Sequence, residues 1–132
     1  MRDWFRVGER LYGGCYPRSF PPGVDFVIDL TEEGELAPYT CDGIEHRRMP
    51  IRDFSTPTRE QMAAILDAVD EGLAEGRTVL VHCRGGIGRT GAVIGCHLRR
   101  HGRSVEDTFA WLEGRPETDD QRELIRSWHP GE

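Results

Sequence analysis

Residues 79–93, VLVHCRGGIGRTGAV, constrain this chain more than any other stretch. Residues 78–81, TVLV, are a short β-favouring run, as expected of a strand buried on both faces. His82 ends that strand and Cys83 begins a loop. Gly85, Gly86 and Gly88 then crowd into four positions, and residues 90–101 read as a helix stopped by Gly102. A central strand must therefore turn through glycines directly into a helix.

The loop has a chemical reading. Its glycines let the backbone turn tightly with N–H groups facing inward. The helix start adds further free N–H groups and partial positive charge. Residues Arg84, Gly85, Gly86, Ile87 and Gly88 thus form a nest for a tetrahedral dianion, and Arg89 closes it by forking onto two oxygens. A thiolate is the nucleophilic form of cysteine, and a helix start beside arginine favours it. Thr90 can donate its hydroxyl to the sulfur of Cys83, and His82 is placed to orient the loop. Nucleophilic attack on a phosphate monoester suits this set.

The remainder supplies a scaffold. RLYGGCYP (10–17) and VDFVIDL (24–30) read as strands, and EHRRMPI (45–51) as a weaker one. Thr58 with Gln61 makes a capping box for a helix whose Met62, Ile65, Leu66, Val69 and Leu73 share one face, with Gly76 at its end. Ser104 caps a helix to about residue 113. Thr118 caps the last, which carries Leu124, Ile125 and Trp128 inward. Strands followed by strand–helix alternation and a helical tail predict an α/β or α+β fold with helices packed on a small sheet. The 132 residues are read as one domain, 1–132.

Composition removes several functions. All seventeen basic residues are arginine, which excludes a Walker A lysine, a Schiff base and a lysine general base. A net charge of −6 argues against nucleic-acid and anionic-membrane partners. No apolar run approaches a membrane span, and MRDWFRVGER has no secretory apolar region. A cytoplasmic, monomeric protein with free thiols is expected. Cys15, Cys41, Cys83 and Cys96 show no paired spacing, and with the histidines they lack ligand spacing, so no metal or cofactor is expected.

The nonapeptide HCRGGIGRT carries a family resemblance. It matches the HCxxGxxR[ST] signature of the cysteine-dependent protein tyrosine phosphatase superfamily, and the chain resembles its small atypical dual-specificity members. VIDLTEEGEL, HRRMPIRDFSTPTREQ and PETDDQRELI have counterparts there at similar spacing. The resemblance implies an α/β fold with a small, mostly parallel central sheet flanked by helices. It also implies a phosphocysteine intermediate on Cys83 that water hydrolyses.

Phosphoryl transfer to sulfur needs a proton for the leaving oxygen. Asp53, thirty residues before Cys83, follows Pro50 and Ile51 in the PI-x-D context where the family places its acid. Its plainer reading is a turn cap; Asp42 and Asp25 are poorer substitutes. Gln121 matches a glutamine that positions the hydrolytic water in related enzymes, yet Thr118 and Gln121 also form a capping box, and both readings stand. Arg84 either reaches substrate or is solvated. Arg47, Arg48, Arg52 and Arg59 form either a basic rim that steers acidic phosphopeptides or a solvated face. Ile87 stands where inositide-directed members tend to carry a second basic residue. Cys96 is read as core, and Cys15 or Cys41 as candidates for a protective disulfide with Cys83.

The expected activity is metal-independent hydrolysis of phosphotyrosine, with phosphoserine or phosphothreonine as further substrates, on a phosphorylated protein or peptide partner. The alternatives are a phosphate-reading pseudophosphatase and a phosphatase of a non-protein substrate such as a phosphoinositide. A rhodanese-like sulfurtransferase fits poorly, because His82 and the Arg89–Thr90 pair match that family badly.

Overall fold

The computed structural model describes residues 3–132. Five strands and four helices follow the order β1 (Trp4–Arg6), β2 (Leu11–Gly14), β3 (Phe26–Asp29), β4 (Glu45–Arg48), α1 (Arg59–Ala74), β5 (Val79–His82), α2 (Gly88–Arg100), α3 (Val105–Leu112) and α4 (Asp119–Ser127). The sheet runs β1-β2-β5-β3-β4, parallel throughout except for the β1–β2 pair. This is the expected single-domain α/β architecture.

The strand that ends at the glycine loop lies at the centre. Every residue of β5 is buried, as is every residue of β3. In register, Gly14 and Asp29 flank His82 on its two sides. Three parallel strands therefore finish at one level, directly below Cys83.

Alternation along the strands divides the core. Leu11, Phe26, Ile28, Val79 and Val81 face the helices and join Met62, Leu66, Val69, Val93, Ile94, Leu112, Ile125 and Trp128 in one cluster. Tyr12, Val27 and Leu80 face the other way and are covered by Val24, Trp4, Phe20 and Ile44 rather than by a helix. Since α2 packs against α1, α3 and α4, it is the central helix as β5 is the central strand. The loop joining the two is held at both ends by core. No helix of the described residues is long and apolar enough to cross a membrane.

The predicted caps form as read. Thr58 and Thr118 each complete a capping box, and Ser104 accepts from the Asp107 N–H. The strand bounds are shorter than the sequence runs. Met49–Ile51 leave the sheet after Arg48, while Ile51 turns back into the core. Strand β1 has no counterpart in the sequence reading. Its close approach depends on two glycines: a Cβ at Gly13 meets the Phe5 ring at 2.6 Å, and one at Gly14 meets the Asp3 carbonyl at 2.6 Å.

Candidate active site

Cys83 is buried, and its Sγ sits within the turn of the loop that follows it. The Gly86 N–H donates to Sγ at 3.3 Å and the Thr90 hydroxyl lies 3.0 Å away. Gly86 must be glycine here. Its φ is +75°, and a Cβ would come within 3.0 Å of the Cys15 nitrogen and the Gly14 carbonyl carbon. From outside the loop, Arg115 stacks on Phe5 and donates to the Gly86 carbonyl at 3.2 Å. Helix α2 starts at this loop with no side-chain cap, unlike α1, α3 and α4. Its first N–H groups remain for an anion.

Arg89 is almost wholly buried and doubly gripped. Glu35 takes Nη1 at 2.9 Å and Nη2 at 2.6 Å, while Nη1 also donates to the Ile51 carbonyl at 3.0 Å. The Arg89 hydrogen bonds hold the Glu35 carboxyl far down, at about 2. That leaves Nε, buried and without a partner among the described residues, on the edge it shares with Nη2. This edge can fork onto two phosphate oxygens.

Behind the loop a polar network fixes His82. Its Nδ1 lies 3.1 Å from the Cys83 carbonyl, and Tyr39 meets its Nε2 at 2.5 Å. Burial, foremost, lowers the His82 pKa, so the ring is neutral: Nδ1–H donates to the carbonyl and Nε2 accepts from the hydroxyl. Burial and then Asp29 push the Tyr39 pKa upward, which keeps that hydroxyl a donor. Asp29 anchors the group, accepting from the Thr31 N–H and hydroxyl at 2.9 and 2.6 Å and from His46 at 2.8 Å. Burial acts to raise the Asp29 pKa, but these bonds and the nearby His82 leave it lowered. His82 thus orients the loop from below.

The loop that carries Asp53 lies against Arg89. Asp53 Oδ1 accepts from the Phe54 N–H at 3.0 Å and lies 3.4 Å from Arg89 Nη2. Asp25 is ruled out by position: it accepts from the Thr78 N–H at the opposite end of β5. Asp42 lies in the exposed segment before β4. Gln121, fully buried, accepts from the N–H groups of Glu117 and Thr118 and donates to the Ser55 carbonyl at 3.3 Å. It caps α4 and ties the Asp53 loop to it, and it also lies against Gly88.

The fold gives the other residues partners or places. Arg84 leans on Glu35, donating to its carbonyl at 3.3 Å. The basic rim is largely spent: Arg47 pairs with Glu45, Arg48 with Asp29, and Arg59 with Glu132. Cys96 is core, as read. All four cysteines are free; Cys15 sits beneath Gly86, whereas Cys41 interacts with Asp29 and Asp42. Glu35, Tyr39 and Arg115 escaped the sequence reading, as did Glu117, whose carboxylate overlies Gly88.

Comparison with known proteins settles the family. The family described as "Polymorphic toxin system, DSP-PTPase phosphatase" matches residues 20–103, a span that includes the Asp53 loop, the Cys83 loop and α2. The chain belongs to the DSP-PTPase phosphatases. Among relatives of this phosphatase, the human dual specificity protein phosphatase CDC14C is 37% identical over 75 residues, covering 56% of this chain and 16% of that protein. The chain spans about a sixth of the length of the curated relatives it matches first. The Arabidopsis thaliana phosphatidylglycerophosphate phosphatase PTPMT2 is 32% identical over 112 residues, 76% of this chain and 49% of its own. The crystal structure of Tk-PTP in the active form superimposes with a TM-score of 0.84 at 30% identity, covering 96% of this chain and 95% of that one. Family and fold together support a phosphoric monoester hydrolase.

Proposed function

We propose that this phosphatase hydrolyses aryl phosphomonoesters of the phosphotyrosine kind, on a protein or peptide, through a phosphocysteine on Cys83. One observation carries the reading: the buried Cys83 sulfur, the two donors trained on it and the unpartnered Nε of Arg89 come together where the loop enters α2. In the first step the thiolate attacks phosphorus, the ester P–O bond breaks, and Asp53 gives its proton to the leaving oxygen. In the second, water attacks phosphorus as Asp53 takes back a proton. The P–S bond breaks and Cys83 leaves as a thiolate that Thr90 stabilises. Arg89 and the N–H groups of residues 84–88 meet the charge on the equatorial oxygens, the positive charge that a metal supplies in other phosphatases. The remaining amide hydrogen of Gln121 is available to orient the water.

The rim favours an aromatic leaving group. Phe54 follows Asp53 and is 64% exposed; Ile87, within the loop, is 45% exposed. These are the two strongly exposed large hydrophobics of the described residues, one on each loop of the mouth. Phe54 is held at φ 60°, a conformation that an aromatic residue rarely adopts. A phosphoinositide headgroup needs cations at this rim, and Ile87 and the Glu35-bound Arg84 supply few.

The test compares kcat/KM for a phosphotyrosine peptide, a phosphoserine peptide and a short-chain phosphoinositide. The expected order places phosphotyrosine first. Phe54→Ala lowers that value about 10-fold, as loss of an aromatic contact does, and leaves the others nearly unchanged. A phosphoinositide rate equal to or above the peptide rate overturns this assignment.

A further inference from the structure

At the far end of α2 from the nucleophile, three side chains with metal-ligating atoms converge. His97, in the last turn of α2, and His101, its C-cap residue, stand four positions apart and so share a face, and Asp70 of α1 meets them. Asp70 Oδ1 lies 2.9 Å from His101 Nε2 and 3.8 Å from His97 Nδ1, and the three atoms fall within 4.8 Å of one another. A tetrahedral zinc ion, with bonds of about 2.1 Å, holds its ligand atoms about 3.4 Å apart. Small rotations of the two rings reach that triangle. We propose that Asp70, His97 and His101 form a binding site for a divalent transition-metal ion of the zinc class, which ties α1 to the last turns of α2.

The His97 ring supplies the second observation. Its Nδ1 is buried and has no hydrogen-bond partner among the described residues, a costly arrangement unless something bonds there. The other two ligands are accounted for by each other; His97 Nδ1 is not, and a cation satisfies all three. Burial, and then His101, press the His97 pKa down to about 4, so the imidazole is neutral as a ligand must be.

The charged neighbours favour the site. Arg100 is engaged by other oxygens: its Nη1 bonds Asp70 Oδ2 at 3.1 Å and Asp67 at 2.9 Å, and its Nε and Nη2 bond the Glu132 carbonyl. It thereby fixes Asp70 with Oδ1 toward the histidines, the orienting task of an outer-shell partner. Asp67 and Asp70 outweigh this one arginine, so the cluster is net negative. His101 is about half exposed, which gives an ion a path in and water access to the remaining positions. Two imidazoles and one carboxylate select zinc, nickel or copper over magnesium or calcium. About 10 Å of helix axis separates His97 from Thr90, so the ion acts on stability rather than on the reaction.

Zinc titrated calorimetrically into Cys83→Ser protein, which lacks the loop thiolate, tests the site beside the same protein carrying His101→Ala or His97→Gln. Expected is stoichiometric binding that raises Tm by several degrees and weakens at least about 10-fold in His101→Ala, an exposed position whose change leaves the fold intact. Cobalt in place of zinc gives a visible spectrum without a thiolate charge-transfer band, which separates this site from Cys15 and Cys41. No saturable binding, a thiolate band, or an affinity unchanged from the Cys83→Ser parent in both histidine variants overturns the proposal.

Discussion

Glu35 and Arg89 meet as a two-pronged ion pair, Oε1 2.9 Å from Nη1 and Oε2 2.6 Å from Nη2. A planar guanidinium gripped along one edge presents the adjacent edge in a fixed direction. Glu35 is therefore read as a positioning residue for the phosphate clamp. Glu35→Gln, which keeps the shape but loses the charge, lowers kcat/KM about 100-fold through a displaced arginine. Vanadate affinity falls in parallel, measured by inhibition of the residual activity.

The same pair sets an acid limit on stability. The Glu35 carboxyl is depressed from 4.5 to about 2 in the folded protein. Below 4.5 the unfolded chain binds the proton more readily, so folding loses stability as pH falls toward 2. Above 4.5 the contribution is fully present. Urea unfolding from pH 6 to pH 2 is expected to show the wild type converging on Glu35→Gln across that window and exceeding it above.

Thr90 has one hydroxyl proton and two acceptors, the Gly14 carbonyl at 3.1 Å and the Cys83 sulfur at 3.0 Å. The carbonyl suffices while sulfur is neutral, and the thiolate draws the proton when charge appears. Thr90→Val removes that donor at nearly constant volume. The second step, in which sulfur leaves phosphorus, slows about 100-fold, while the pre-steady-state burst persists. A variant that loses burst and turnover equally contradicts the assignment.

Asp53→Asn separates leaving groups. An alkoxide needs its proton in the transition state and a nitrophenolate scarcely does, so loss of the acid costs about 100-fold or more with phosphoserine-type esters and far less with para-nitrophenyl phosphate. Equal losses on both substrates point to a structural role for Asp53.

Local features were legible in the sequence. The glycine loop, three caps and the apolar helix faces each depend on residues within a turn or two, so their spacing carries the information. What stayed hidden is non-local. Glu35 sits in an acidic run, TEEGE, in which nothing marks it as the residue that will grip Arg89. Tyr39 reaches His82 only because β3 and β5 are neighbours. Arg59 reads as either rim or solvated face, and what decides it is Glu132, a partner 73 residues away in sequence. Strand β1 has only three residues, half-buried or exposed, and no alternation to reveal it. Gln121 was ambiguous for a physical reason: one side chain caps α4 and touches the Asp53 loop together.

The most direct test of the mechanism is rapid-quench reaction with para-nitrophenyl phosphate in EDTA, followed by intact-mass analysis. The account predicts a nitrophenolate burst stoichiometric with enzyme, a phosphoryl adduct on the peptide containing Cys83, and loss of both in Cys83→Ser. Turnover that persists in Cys83→Ser, or that disappears from the wild type on chelation, contradicts it.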